Sequence, residues 1–306
     1  MIRSSIAVAF LLALLCAPTV VHAKPAPPDP AARALNALID RQIAAWSEGT
    51  EGDMASPDVF GKDATFAVTG GAAGDDDPAV PADRLVGTVV SATWITASRI
   101  THRAVTRSGD GRSAWLSFDI HMKVDRTEDG VADFPERDYR VSYIAASTAD
   151  GWRILGGTWS TAQGNAPVNK AALAGKLRAL APVPAHASDA ALRDAFLATL
   201  TAPLDPATAA RADLVTIGSG PGERTVSGAV LAKAWKAAWQ GKLTVDGAPA
   251  TYLAPSGTTG WVVANVQLAK RAGKRAYAIP FRLVFVFDQD AQRAWHLVHA
   301  HLAVAP

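Results

Sequence analysis

The densest set of proton-carrying groups in this 306-residue chain lies at its C-terminal end, in the run Trp295-His-Leu-Val-His-Ala-His301. Successive side chains of a strand point to opposite faces, so His299 and His301 share one face with Trp295 and Leu297. Two imidazoles on one face suit metal ligation or acid–base work. A metal also needs a third and fourth ligand, which the sequence does not place, so no metal is expected. The competing reading is a histidine pair hydrogen-bonded at a sheet interface or on a pocket wall.

Other residues carry weaker chemical signals. Gly218-Ser-Gly-Pro-Gly-Glu223 has the glycines of a phosphate-cradling loop. Glu223 stands where a dinucleotide fingerprint needs its last glycine, and Pro221 removes a backbone donor. A structural turn and no cofactor are therefore expected. Glu223 itself is a candidate helix N-terminal acid or pocket carboxylate. Trp235 and Trp239, four apart on one helical face, are candidates for core packing or pocket lining. Asp119 and His121 are two apart on the polar face of a strand, where an acid–base pair competes with a plain solvated face. Asp75, Asp76 and Asp77 lack the alternating spacing of a calcium loop and are expected in a solvated one.

The elements that would position these groups follow from periodicity. Leu35, Leu38, Ile39, Ile43 and Trp46 have the three-and-four spacing of a helix that buries one face over 31–46. Ala64–Val68 is a short strand candidate, followed by a polar, acidic loop to Pro81. From Ile100 the chain becomes a series of hairpins. Leu116, Phe118, Ile120, Met122 and Val124 alternate there with Trp115, Ser117, Asp119, His121 and Lys123, the pattern of a half-buried antiparallel strand. Residues 126–138 are expected to be a loop between strands. Gln163–Ala187, rich in Ala, Lys and Pro, reads as a connector. The order then repeats: a helix from Ser188 as N-cap to Leu200, a short strand Leu214–Ile217, a helix from about Ser227 to Trp239, and strands over 261–269, 279–287 and 295–304. Both halves end alike, in Trp152-Arg-Ile-Leu155 and in Trp295-His-Leu-Val298, each after an apolar run and a polar turn. Such duplication predicts two copies of one domain, 31–162 and 188–306, joined by a linker over 163–187.

The first residues show a positive start at Arg3, an apolar run from Ile6 to Leu15 and a small-residue site ending at Ala23. Together they predict a signal peptide over 1–23 and an exported protein, periplasmic or secreted, with a flexible Pro-rich leader over 24–30. That apolar run is too short to span a bilayer, and no other stretch qualifies. The only cysteine, Cys16, falls in that first segment, so the exported chain has no disulfide and no thiol nucleophile. With 30 Lys and Arg against 28 Asp and Glu, and no basic stripe with interleaved aromatics, nucleic-acid binding is not expected.

The order of elements resembles the nuclear-transport-factor-2-like superfamily, which includes SnoaL-like polyketide cyclases and ketosteroid isomerases. The resemblance is carried by the terminal Trp295–His301 run, by Gly218–Glu223 followed by Gly228, Trp235 and Trp239, and by Asp63-Ala-Thr-Phe66 with Trp152–Leu155. It implies an α+β fold of two tandem cone-shaped domains, each a curved antiparallel sheet wrapped around helices with an apolar pocket at its mouth. His299, His301, Trp235, Trp239 and Glu223 are then the ligand-pocket candidates. Members of this superfamily often pair through the outer faces of their sheets. Strand 281–287 carries Phe281, Leu283, Phe285 and Phe287 on one face and Val284 and Val286 on the other, so both faces must be covered. An intramolecular pseudo-dimer of the two domains is therefore expected. The function expected is non-catalytic binding of a small apolar ligand or a protein partner. The alternative is an isomerase, cyclase or hydrolase acting on a small hydrophobic substrate.

Overall fold

The computed structural model describes residues 29–48, 56–70, 76–90, 94–125, 136–161, 165–218, 220, 223–225 and 227–304. The expected signal peptide, nearly all of the Pro-rich leader, Asp75 and most of the 126–138 loop lie outside the described residues.

The first half opens with α1 (Pro30–Glu48), whose Leu35, Leu38, Ile39, Ile43 and Trp46 are all buried. Strand β1 (Phe60–Thr69) and strand β2 (Asp76–Pro81) form a hairpin that leads into α2 (Ala82–Val90). Four long strands follow: β3 (Trp94–Arg107), β4 (Ser113–Asp125), β5 (Arg137–Thr148) and β6 (Gly151–Thr161). After α3 (Asn165–Leu173), the second half has α4 (Ala190–Thr201), α5 (Pro206–Ala210), β7 (Val215–Ile217), β8 (Arg224–Thr225) and α6 (Gly228–Ala238). It ends in β9 (Leu243–Leu253), β10 (Thr259–Ala272), β11 (Arg275–Gln289) and β12 (Trp295–Ala303).

The two six-stranded sheets repeat one topology. Their orders are β2-β1-β6-β5-β4-β3 and β8-β7-β12-β11-β10-β9. In both, the first strand of the half runs parallel to its last, and every other pairing is antiparallel. The chain is thus α+β, two tandem cones of one design.

Each concave face is filled by its own helices and aromatic rings. In the first cone Phe66, Phe118, Tyr143, Trp159 and Trp46 pack with ring centroids 5.0–6.3 Å apart, and Trp159 Nε1 donates to the Tyr143 hydroxyl at 2.9 Å. In the second, Phe196, Trp235 and Phe285 occupy the corresponding space. The alternation in β4 decides its faces: Leu116, Phe118, Ile120 and Met122 enter the first core. Gly157 in β6 has a φ of 152° and no room for a side chain: a Cβ would lie 2.0 Å from the Ser142 carbonyl oxygen.

Several expectations need correction. The acidic stretch read as a solvated loop contains β2, because Asp76 is buried rather than solvated. The N-cap of α4 is Asp189, which accepts from the Leu192 N–H at 2.6 Å, while the Ser188 hydroxyl donates to the Thr251 carbonyl at 2.7 Å. Strand β9 went unread because Gly247 and Pro249 break its apolar pattern. The stretch read as a connector contains α3, whose Val168 and Ala172 belong to the second core.

Candidate functional site

His299 and His301 lie in a closed seam between the sheets. Strand β12 pairs antiparallel with β11 and parallel with β7, and a bulge that leaves Val298 unpaired reverses its alternation, so that Trp295 and Leu297 turn into the second core while both imidazoles take the outer face, not the one face expected for all four. The outer face of the first cone meets them there. An apolar belt of Ala67, Trp115 and Ile144 from one sheet packs on Trp261, Val263, Val284, Val286 and Val298 from the other. Inside this belt lies a polar centre. The Ser142 hydroxyl lies 2.7 Å from His299 Nε2 and 2.8 Å from His301 Nδ1, and the Ser160 hydroxyl lies 2.7 Å from His301 Nε2.

Burial holds both imidazoles uncharged. It drives His299 down from 6.5 to about 3, with the nearby Arg224 cation adding to the effect. His301 is lowered well below its usual value by burial first, then by His299, Arg140 and Arg224. With one proton on each ring, the hydrogen-bond chain can run in either direction: His299 to Ser142 to His301 to Ser160, or the reverse. The Ser142 hydroxyl donates one bond and accepts the other, and both His301 nitrogens are engaged, either way. His299 Nδ1 makes no well-formed hydrogen bond among the described residues; the Val215 backbone is its polar neighbour.

Charged contacts close the seam at its ends. Arg140 donates to the Gly218 carbonyl, and Arg224 donates to the Ser117 hydroxyl at 3.1 Å and to Asp119 at 3.4 Å. At the far end, Asp288 accepts from the Gly109 N–H at 2.9 Å. The most deeply buried ion pair of the junction is Arg282–Asp76, whose side chains are 0% and 3% exposed. Arg282 also donates to the Val68 carbonyl at 3.1 Å, to the Ala181 carbonyl at 2.8 Å and to Asn265 at 3.2 Å. One guanidinium thus joins the first cone, the connector and the second cone. Burial raises the Asp76 carboxyl and lowers the Arg282 guanidinium, each toward neutrality, but their mutual attraction and bidentate hydrogen bonding oppose it. The guanidinium keeps its charge, since arginine does not give up its proton in proteins.

The remaining candidates are dispersed. Glu223 folds back on its own turn, accepting from the Gly220 N–H at 2.8 Å. It lies ahead of the Ser227 N-cap, so it is not in the first turn of α6. Gly218 and Gly220 make room for that side chain: a Cβ on either would lie within 3 Å of it, and at Gly218 the close atoms include the Glu223 Cβ, which cannot swing aside. Ser219, Pro221 and Gly222 of the same turn lie outside the described residues. Trp235 is core, with its Nε1 donating to the Thr199 carbonyl at 3.0 Å. Trp239, one turn on, stands edge-on to it at 5.1 Å and lines a cleft of about 710 Å³ with Tyr277, Ala238, Lys242, Lys270 and Arg271. Asp119 and His121 form no pair with each other: His102 and Arg224 engage Asp119, while Glu136 and Asp138 engage His121. No group of three His, Cys, Asp or Glu among the described residues is placed to hold a metal.

A second cleft, of about 560 Å³, lies where the cones meet. His186, Tyr252 and Trp261 stack along one wall, with centroids 4.3 and 5.2 Å apart, and Leu155 and Thr65 of the first cone face them. Sequence reading missed this stack, and also the partners Ser142, Ser160, Arg140, Asp76 and Arg282. The one visible signal was in β5, where Arg140, Ser142 and Ile144 alternate with Tyr139, Val141, Tyr143 and Ala145.

Fold and seam together define an α+β chain of two tandem cones that share one strand order. No protein-family profile and no curated protein matches it. Among solved structures it is similar to the Kfla4162 protein from Kribbella flavida, with 17% identity over 45% of this chain and 95% of that one, at a TM-score of 0.36. It is also similar to a protein with a cystatin-like fold from Caulobacter vibrioides, with 18% identity over 48% and 99%, at a TM-score of 0.35. A ketosteroid isomerase-like protein from Erwinia carotovora atroseptica gives 14% identity over 44% and 99%, at a TM-score of 0.34. Likeness this distant says nothing of activity, and the tandem cones are defined by the repeated strand order.

Proposed function

We propose that the chain is an exported, non-catalytic protein whose cones form an intramolecular pseudo-dimer and bind a small apolar ligand. One observation carries this reading. The two histidines best suited to chemistry are enclosed between the sheets, uncharged, and bound to Ser142 and Ser160. Placed so, they join the cones and do not meet a substrate. Trp239 and Tyr277 instead border an open cleft of a size that takes small molecules. Export rests on the N-terminal residues alone, with their positive start, apolar run and small-residue site.

Replacing His299 or His301 by glutamine is expected to lower stability while leaving the affinity for an apolar probe such as decanol unchanged. Loss of that affinity in a variant that still melts cooperatively would place the histidines in the ligand site and overturn the reading. The pseudo-dimer has its own test. A fragment spanning residues 165–306, which retains α3, uncovers Trp261, Val263, Val284, Val286 and Val298 and is expected to self-associate. A folded, monomeric fragment in sedimentation would contradict it.

A further inference from the structure

We infer that the cleft beside Trp239 takes an amphipathic anion, a molecule with an apolar tail and a carboxylate or similar acid at one end; this rests on the ligand-binding reading above. The cleft is built from three elements. The end of α6 supplies Ala238 and Trp239, the start of β9 follows Lys242, and the β10–β11 hairpin supplies Ala269, Lys270, Arg271, Ala276 and Tyr277. Its floor is apolar and aromatic, and its ionisable lining residues among those described, apart from the Tyr277 phenol, are cations: Lys242, Lys270 and Arg271.

Two observations separate this from an ordinary solvated surface. The first is the missing counter-charge. Between Arg224 and Phe287 the sequence holds nine lysines and arginines and a single acid, Asp246. Asp246 accepts from Gln267 and does not line the cleft. None of Lys242, Lys270 and Arg271 forms an ion pair among the described residues. The near-neutral total of the chain hides this concentration. The second is preorganisation. Lys242 Nζ donates to the Ala237 carbonyl at 2.9 Å, and Lys270 Nζ lies 3.5 Å from Asn169 Oδ1, which also accepts from the Tyr277 hydroxyl at 3.2 Å. Neutral oxygens thus hold both ammonium groups at the rim without neutralising them, so the charge is left for a ligand. A wholly apolar ligand would leave these cations unanswered. A cation would be repelled.

Binding of decanoate, decanol and decylammonium to the full chain, measured by titration calorimetry at low salt, tests the inference. Three partly solvated cations predict that decanoate binds roughly tenfold more tightly than decanol. Decylammonium should bind more weakly than either. The Lys242→Ala/Lys270→Ala/Arg271→Ala variant should bring decanoate to the level of decanol and leave decanol unchanged. Lys274→Ala/Arg275→Ala, at the hairpin tip outside the cleft, should change decanoate binding far less. Equal binding of decanoate and decanol to the unmodified protein would overturn the anion inference while leaving apolar binding in place. No binding of any of the three would overturn both. Sedimentation with anionic phospholipid vesicles, without binding of monomeric decanoate, would make the same cations a membrane-facing patch and equally sink the proposal.

Discussion

Acid should weaken the seam through His299, and the size of the effect can be worked out. The imidazole titrates near 6.5 when exposed and near 3 when folded. A histidine depressed by folding binds fewer protons in the native state than in the unfolded one. Its contribution to stability is therefore complete above about 6.5 and is lost as the pH falls toward 3. At about pH 4.5 the unfolded chain has taken up a proton that the folded chain refuses. Over two units at 1.36 kcal/mol each, the cost is about 2.7 kcal/mol from His299 alone. His301 acts in the same direction. Other groups titrate in this window, among them His296, where burial is outweighed by Asp290 and Asp205 and the pKa is raised. The measurement is therefore a difference: urea unfolding of the unmodified protein and of His299→Gln at about pH 7.5 and pH 4.5, followed by far-ultraviolet circular dichroism. Glutamine keeps a polar group toward Ser142 but does not titrate. The unmodified protein should lose about 2.7 kcal/mol more than the variant between the two conditions. Parallel losses would refute the idea that His299 is buried uncharged.

The Arg282–Asp76 junction gives a second test. Arg282→Met leaves a buried carboxylate unpaired and should cost about 3–5 kcal/mol, whereas Arg282→Met/Asp76→Leu should recover most of the loss in the same unfolding assay. A double variant as weak as the single one would show that the cost is lost packing, not unpaired charge. Gly157→Ala should destabilise by more than the ~1–3 kcal/mol of a strained backbone, because its Cβ would also strike the Ser142 carbonyl; a melting temperature within a degree or so of the parent would argue against that close approach.

The sequence disclosed most where burial imposes a period. Phe281, Leu283, Phe285 and Phe287 entered the second core while Val284 and Val286 entered the seam, as a strand apolar on both faces requires. The stripe from Leu35 to Trp46 announced α1 for the same reason. What stayed hidden depends on register between distant segments. Ser142 lies 157 residues from His299, and Asp76 lies 206 from Arg282, so no local pattern marks either contact. Asp76 was misread because an acidic, Pro-rich stretch has the composition of a loop. It is a strand residue paired with β1, and the cation that answers its buried carboxylate comes from the other cone. Trp235 and Trp239 share a helical face, yet one is enclosed and the other borders an opening. Periodicity fixes the face but not where along it the neighbouring structure ends.

The seam is asymmetric, and that has a consequence for ancestry. One cone offers hydroxyls at Ser142 and Ser160, and the other offers imidazoles at His299 and His301. Neither half could mate with a twin of itself in this way: hydroxyl would confront hydroxyl, or four rings would crowd together. Whatever symmetric couple preceded this chain, its halves have become complementary, and neither can replace the other.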